Sequence, residues 1–261
     1  MRIALGIEYD GSAFSGWQIQ DGSEPTVQGT LENALSKIAN EDISKCQVAG
    51  RTDAGVHATE QVIHFETNAV RTMRSWVLGS NRYLLDKTIS VLWAYRVDDD
   101  FHARFSAQRR RYRYVIFSRP VRPSFLNNQV SWDSRPLNLS RMQKAAQYFV
   151  GEHDFDSYRT VKCQAKSPVK TVYFLTVSQR GEYFYIDIEA NSFLHHMVRN
   201  IAGVLMSIGA GEAEPEWAQE VLLAKDRTKG GKTAPSGGLY LTNVTYDDKF
   251  NLPMINSATI I

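Results

Sequence analysis

The chain has 261 residues, 43% of them hydrophobic and 22% charged, which is ordinary globular composition with room for one large domain or two of about 130 residues. Thirty Lys and Arg against 28 Asp and Glu leave a formal charge of +2, too little by itself to point to a nucleic-acid partner, and two cysteines, Cys46 and Cys163, exclude a disulfide framework or a four-cysteine zinc site. The longest apolar stretch, Ile201 to Ile208, already contains Ser207 and falls short of the roughly 20 residues of a membrane-spanning helix, and the apolar run after Arg2 is too short for a secretory signal, so a cytoplasmic protein is expected.

Ile3, Leu5, Ile7 and Tyr9 alternate with Ala4, Gly6 and Glu8, which predicts a half-buried strand closed by Asp10-Gly11. Thr26 can cap a helix carrying Val27, Leu31, Ala34, Leu35 and Ile38 at helical spacing. A strand at about 61–66, a helix at about 72–79 and a strand over 89–95 follow, with 45–58 read as loop that has room for one more strand. Phe101 to Gln108 forms the junction, which divides the chain into halves of 1–105 and 106–261. In the second half, 112–117 reads as a strand, and Ser140 with Gln143 as a capping box for a helix carrying Met142, Ala145, Ala146, Phe149 and Val150 and stopped by Gly151. Strands over 171–177 and 183–189 pair as a hairpin. A helix with Met197, Ile201, Val204, Leu205 and Ile208 on one face comes next, then a helix near 215–224 and a last strand over 239–246. Two successive units of similar order predict an α+β fold with a duplicated plan and antiparallel sheets.

The distribution of charge says more than its sum. Between Asp100 and Asp133 there is no acid, yet seven arginines fall there, Arg104, Arg109, Arg110, Arg111, Arg113, Arg119 and Arg122, interleaved with Tyr112, Tyr114 and Phe117. A second acid-free window, between Asp156 and Glu182, holds Arg159, Lys162, Lys166, Lys170 and Arg180. Such windows are often solvated faces with counter-charges supplied from distant segments. The mixture of arginine forks and aromatic faces suits RNA better than a membrane surface.

Three motifs point nowhere far. Gly209 and Gly211 lack the third glycine of a dinucleotide loop, and Gly231-Lys232-Thr233 ends like a phosphate-binding loop but has Asp226 where the leading glycine belongs. His195 and His196 are adjacent, so on a helix or strand they would diverge rather than chelate one metal; no metal or cofactor is expected. The informative stretch is Gly50-Arg51-Thr52-Asp53-Ala54-Gly55-Val56-His57, which sets one carboxylate between small residues where another chain can approach closely. An Asp in such a stretch is most often only a turn residue.

That octapeptide, followed by Ala58, resembles the signature of the TruA-type tRNA pseudouridine synthases. The resemblance runs along nearly the whole chain: Gly16-Trp17-Gln18, Val27-Gln28, Asp100-Phe101-His102-Ala103-Arg104-Phe105, Arg111-Tyr112-Arg113-Tyr114, Phe193 to Asn200, and Gly238-Leu239-Tyr240-Leu241. It implies two ferredoxin-like, RRM-like halves related by a pseudo-twofold axis with an active-site cleft between them, and a homodimer that modifies uridines 38 to 40 of the tRNA anticodon arm. By the same resemblance Asp53 is the nucleophile, Tyr112 stacks on the target uracil, Arg51 takes the place of the flipped nucleotide, and Arg199 is the cation paired with the carboxylate. The arginine-rich window, Arg110 and Arg113 included, would supply phosphate contacts.

Isomerisation breaks the bond from C1′ to N1, turns the uracil, joins C5 to C1′ and removes the C5 proton, with no redox change. A carboxylate can form the covalent intermediate by addition to the ring or by attack on the sugar, and the residues favour neither. A neighbouring arginine would keep it ionised. Two positions depart from the family pattern: Glu60 stands where a glycine is usual, a carboxylate that would repel phosphate if it faced the cleft, and Leu85 replaces a proline in the turn after the second helix. The tail after Leu252 also diverges and reads as disordered. The main alternative is a non-catalytic RNA-binding protein of the same fold, and a P-loop nucleotide hydrolase is a distant third.

Overall fold

The computed structural model describes residues 1–22, 24–161, 163 and 165–253. Lys162 of the second basic window lies outside them, as does the tail beyond Pro253 for which disorder is expected. In chain order the first half forms β1 (Arg2–Tyr9), α1 (Val27–Ala39), β2 (Gln47–Val48), β3 (His57–Glu66), α2 (Met73–Tyr83) and β4 (Ile89–Val97). Then come β5 (Arg109–Ser118), β6 (Ser131–Asp133), α3 (Leu139–Ala146), β7 (Gly151–Asp154), β8 (Val169–Arg180), β9 (Tyr183–Ala190), α4 (Met197–Gly209), α5 (Trp217–Ala224) and β10 (Leu239–Thr245). The fold is α+β. The chain gathers into two compact units, Met1–Arg110 with the stretch from Tyr240 onward, and Arg111–Leu239. Among the described residues no helix is long and apolar enough to cross a membrane.

In the first unit the strands lie in the order β4-β1-β3-β10. β1 is antiparallel to both β3 and β4. The other edge of β3 is shared: β2 pairs antiparallel near its C-terminal end, Gln47 opposite His64, while β10 pairs parallel at its start, Tyr240 opposite His57. β1 is therefore central and buried on both faces, not half-buried as its alternation predicts. The reason lies in its small residues: Gly6 sits opposite Trp93, whose indole occupies the space where a Cβ on Gly6 would be, 2.1 Å from Nε1. Thr26 does cap α1, accepting from Gly29 N at 3.2 Å. α2 runs to Tyr83, beyond the expected stop at Gly79, because that glycine is the point where α1 and α2 touch; a Cβ there would lie 2.4 Å from Ile38 Cδ1. Without the proline usual in the family, the turn after α2 still closes, Lys87 N donating to Leu84 O at 2.8 Å.

In the second unit the order is β5-β9-β8-β7, with β6 parallel beside β5. The β8–β9 hairpin pairs from Val172 opposite Ala190 to Arg180 opposite Tyr183. The cap of α3 differs from the expected capping box: Asn138, extended at φ −95°, accepts from Arg141 N, and Ser140 lies inside the first turn. The helix ends at Ala146, and Phe149 follows in a short 3-10 turn rather than on the helix. The core here is built by Phe149, Phe155, Tyr158, Met142 and the apolar face of α4, all fully buried.

Candidate active site

The loop that carries Asp53 is held by backbone bonds on every side. Trp17 N donates to Thr52 O at 3.0 Å, and Gly55 N donates to Phe14 O at 3.3 Å. Val56 N closes a turn on Asp53 O at 3.1 Å, with Gly55 third in that turn at φ 75°, the positive φ a type II turn requires. Gln61 of β3 clamps Gly50, donating from Nε2 to its carbonyl at 2.7 Å, and the Thr52 hydroxyl bonds the Tyr9 hydroxyl at 2.8 Å. Burial pushes the Tyr9 phenol up to about 12, so it stays protonated and fixed in this contact. Gly16 packs beneath at φ 94°, where a Cβ would lie 2.8 Å from Thr52 O and 3.1 Å from the Asp53 carbonyl carbon. Of these supports, Gly16 stands in the Gly16-Trp17-Gln18 motif, whereas nothing in the sequence marks Tyr9 or Gln61 as site residues. Asp53 itself is half-buried and the neighbouring Arg51 is exposed.

Two nearby charges turn inward. Glu60 is 7% exposed and accepts from Asn243 Nδ2 of β10 at 3.5 Å, which withdraws its carboxylate from any surface a phosphate could reach. Arg110, expected to meet phosphate, is 9% exposed. Its guanidinium donates to the carbonyls of Ala107 at 2.8 Å, Arg104 at 2.7 Å and Ala49 at 3.1 Å. It therefore braces the backbone just before the Asp53 loop through Ala49 and the turn before β5 through Arg104 and Ala107. Cys46, also buried, has its thiol pushed well up by burial and by Glu32, which leaves it unreactive.

The second unit presents Tyr112 and Arg199. Tyr112 is buried on β5 with its ring edge-on to Phe193, centroids 5.0 Å apart. Arg113 follows it in the strand and so faces the opposite side of the sheet. There it pairs with Asp187 through two bonds of 2.8 and 3.1 Å, as Arg111 pairs with the buried Glu189 at 2.9 Å. Part of the arginine window thus finds its counter-charge on the neighbouring strand β9, and Lys170 of the second window is likewise turned in, donating to the carbonyls of Ser167 and Val169 at 2.8 Å. Arg199, in the first turn of α4, donates from Nε to Ala234 O at 2.8 Å, and Ala234 N returns a bond to Arg199 O at 3.1 Å. The segment Gly231 to Thr233 serves this side of α4: the Thr233 hydroxyl donates to Asn200 Oδ1 at 2.7 Å, and Arg227 reaches Gly231 O at 3.0 Å. Among the described residues no long helix follows it, so it is not a phosphate-binding loop.

His195 and His196 do not diverge. His196 adopts a left-handed conformation at φ 65° just before α4, off the regular helix on which divergence was expected. The two rings consequently lie 4.3 Å apart, a juxtaposition that adjacent residues on a helix or strand would not make.

A profile of the family described as tRNA pseudouridine synthase matches residues 6–106 and 145–247. A protein of Nitrosococcus oceani named tRNA pseudouridine synthase A is 56% identical over 261 residues, all of both chains. Proteins of the same name from Pseudomonas aeruginosa and Alcanivorax borkumensis are 55% and 53% identical over 252 residues, covering 97% of this chain and 88% and 94% of theirs. An α+β fold with a clamped carboxylate loop and an identity of this extent define an isomerase of RNA. The chain belongs to the tRNA pseudouridine synthase family.

Proposed function

We propose that the chain converts uridines 38 to 40 of the tRNA anticodon stem-loop to pseudouridine with Asp53 as nucleophile. The observation that supports this most directly is the Asp53 loop, whose backbone is fixed from both sides while the carboxylate stays half-buried, the preorganisation a covalent catalyst needs. The carboxylate attacks the ring or the sugar of an extruded nucleotide, Tyr112 stacks on the detached uracil as it turns, and Arg199 keeps Asp53 ionised through its positive charge. Arg51, exposed beside the nucleophile, fills the place the nucleotide leaves. A homodimer in which both subunits contact one tRNA, working in the cytoplasm, completes the reading.

Because C5 loses its proton in the reaction, unmodified tRNA labelled with tritium at C5 of uridine releases the label to water in step with turnover. Wild-type protein is expected to release it. Asp53→Asn is expected to release none while binding tRNA within a few-fold of wild type, since affinity rests on dispersed phosphate contacts. Wild-type protein that binds tRNA but releases no tritium would instead be a non-catalytic RNA-binding protein. Release by Asp53→Asn at a rate near wild type, with deamidation excluded by mass spectrometry, would remove Asp53 from the mechanism.

A further inference from the structure

Residues 102–107 of the first unit form a turn with most of its backbone groups committed. Ala103 N donates to Nδ1 of His64 on β3 at 3.0 Å, and Arg104 N and Phe105 N donate to Nδ1 of His102 at 3.1 and 3.3 Å. His102 N donates to Ser106 Oγ, and Ser106 N to His102 O, both at 2.9 Å. From outside the turn, Tyr246 donates its hydroxyl to Ala103 O at 2.6 Å, and Arg110 holds the carbonyls of Arg104 and Ala107 at 2.7 and 2.8 Å. On this scaffold one large apolar side chain points outward: Phe105 is 78% exposed. Its ring leans on His102 with centroids 4.4 Å apart, and the Arg104 guanidinium lies 5.6 Å from its centroid.

A lone exposed phenylalanine on a mobile loop needs no explanation. One held out by a turn with so little freedom is preorganised for contact, because the entropy of ordering it is already spent before a partner arrives. The surroundings say what kind of partner. Its chain neighbours Arg104 and Ser106, and Gln108 and Arg109 beyond the small Ala107, are polar or basic, whereas the centre of a protein interface is a contiguous apolar patch. An aromatic face next to an arginine, in a stretch that has no acid between Asp100 and Asp133, matches a nucleobase and its phosphate. We propose that Phe105 is a stacking platform for an unpaired base of the tRNA, with Arg104 meeting the phosphate next to that base. The inference rests on tRNA being the substrate, and it adds an RNA contact distinct from the groups assigned to the reaction.

The test is tRNA binding by Phe105→Ala, Phe105→Leu and Phe105→Trp across a salt series, together with single-turnover tritium release at saturating tRNA. Loss of one stacked base is worth roughly a 5- to 150-fold drop in affinity, expected for Ala and Leu and restored by Trp. The drop should be the same at every salt concentration, since no phosphate contact is lost, whereas Arg104→Ala should reduce the salt slope by about one. The exposed site leaves the melting temperatures of all four variants unchanged, so a loss of affinity reads the contact and not the fold. Affinity of Phe105→Ala within about twofold of wild type overturns the proposal while leaving the uridine chemistry of the wild type standing. A change in the mass of the assembly on sedimentation, with or without a change in affinity, also overturns it and gives the ring to a protein contact. Wild-type protein that releases no tritium is the separate failure of the catalytic reading.

Discussion

Gly16→Ala tests whether the Asp53 loop is held as tightly as its geometry indicates. The added methyl carries two penalties. At φ 94° a non-glycine residue costs on the order of 1–3 kcal/mol. The Cβ would also stand 2.8 Å from Thr52 O, a backbone atom already engaged by Trp17 N, so relief requires the Thr52–Asp53 backbone to move. Overpacking of that kind adds about 1–3 kcal/mol, which brings the expected loss in a urea titration to about 2–6 kcal/mol. With Asp53 as the proposed nucleophile, a displacement of a few tenths of an ångström there acts on the rate as well as on the fold, and the saturated single-turnover rate should fall about 10- to 100-fold with tRNA affinity nearly unchanged. Gly181→Ala is the control. At φ 59° it carries the conformational cost alone, with nothing within 4 Å of the new Cβ, so it should lower stability by about 1–2 kcal/mol and leave the rate alone. A folded Gly16→Ala protein that turns over within twofold of wild type would refute the claim that this contact positions Asp53.

Two further outcomes follow from groups that the fold turns inward. Arg110→Ala leaves three buried or half-buried carbonyls without their donor and should cost about 2–4 kcal/mol in urea unfolding, while the salt slope of tRNA binding stays as in wild type; a slope lower by one would return Arg110 to the phosphate-binding residues. His64 has its basicity lowered to about 4 by burial, with His102 and Arg2 adding to the effect, and its Nδ1 accepts from Ala103 N. A base whose folded pKa lies below its unfolded value of 6.5 binds protons more readily when unfolded, so stability is lost as the pH falls from about 6.5 to about 4. His64→Gln keeps an acceptor and removes the titration. Its urea midpoint should vary less than that of wild type over this window, and an equal variation would show that His64 is not the group responsible.

The sequence is most legible where contacts are local. Thr26 announces α1 because an N-cap satisfies a donor three residues away, and the β8–β9 hairpin is plain because its partners are neighbours in the chain. Misreadings cluster where a distant partner decides. Gly79 looks like a helix stop and is the contact point for Ile38, forty-one positions back, and β3 begins at His57 because it pairs with Tyr240 from the far end of the chain. β6 and β7, of three and four residues, are too short to display a period at all. The same division holds for the candidate site. The Asp53 loop stands out through its small residues and its resemblance to a family, and Gly16 through its place in the Gly16-Trp17-Gln18 match, whereas the other two supports, Tyr9 and Gln61, look like ordinary strand residues. Arginines offer the reverse lesson: Arg110, Arg111 and Arg113 form one basic run in sequence, but the pleat sets Arg110 on the face opposite Arg111 and Arg113, and carbonyls claim the first while carboxylates claim the other two.

The shared edge of β3 also sets an order of events during synthesis. β2 covers the far end of that edge early, but the stretch at His57 and Ala58 waits for Tyr240 and Leu241. At about 5–20 residues per second the ribosome needs roughly 10–35 s to deliver them, long enough for a chain segment to fold many times over. Throughout that interval the nascent first unit carries an open strand edge beside its Asp53 loop, the kind of surface that recruits chaperones or a second nascent chain. The second unit is one contiguous stretch, Arg111 to Leu239, so every strand of its own has been made before the last strand of the first unit emerges.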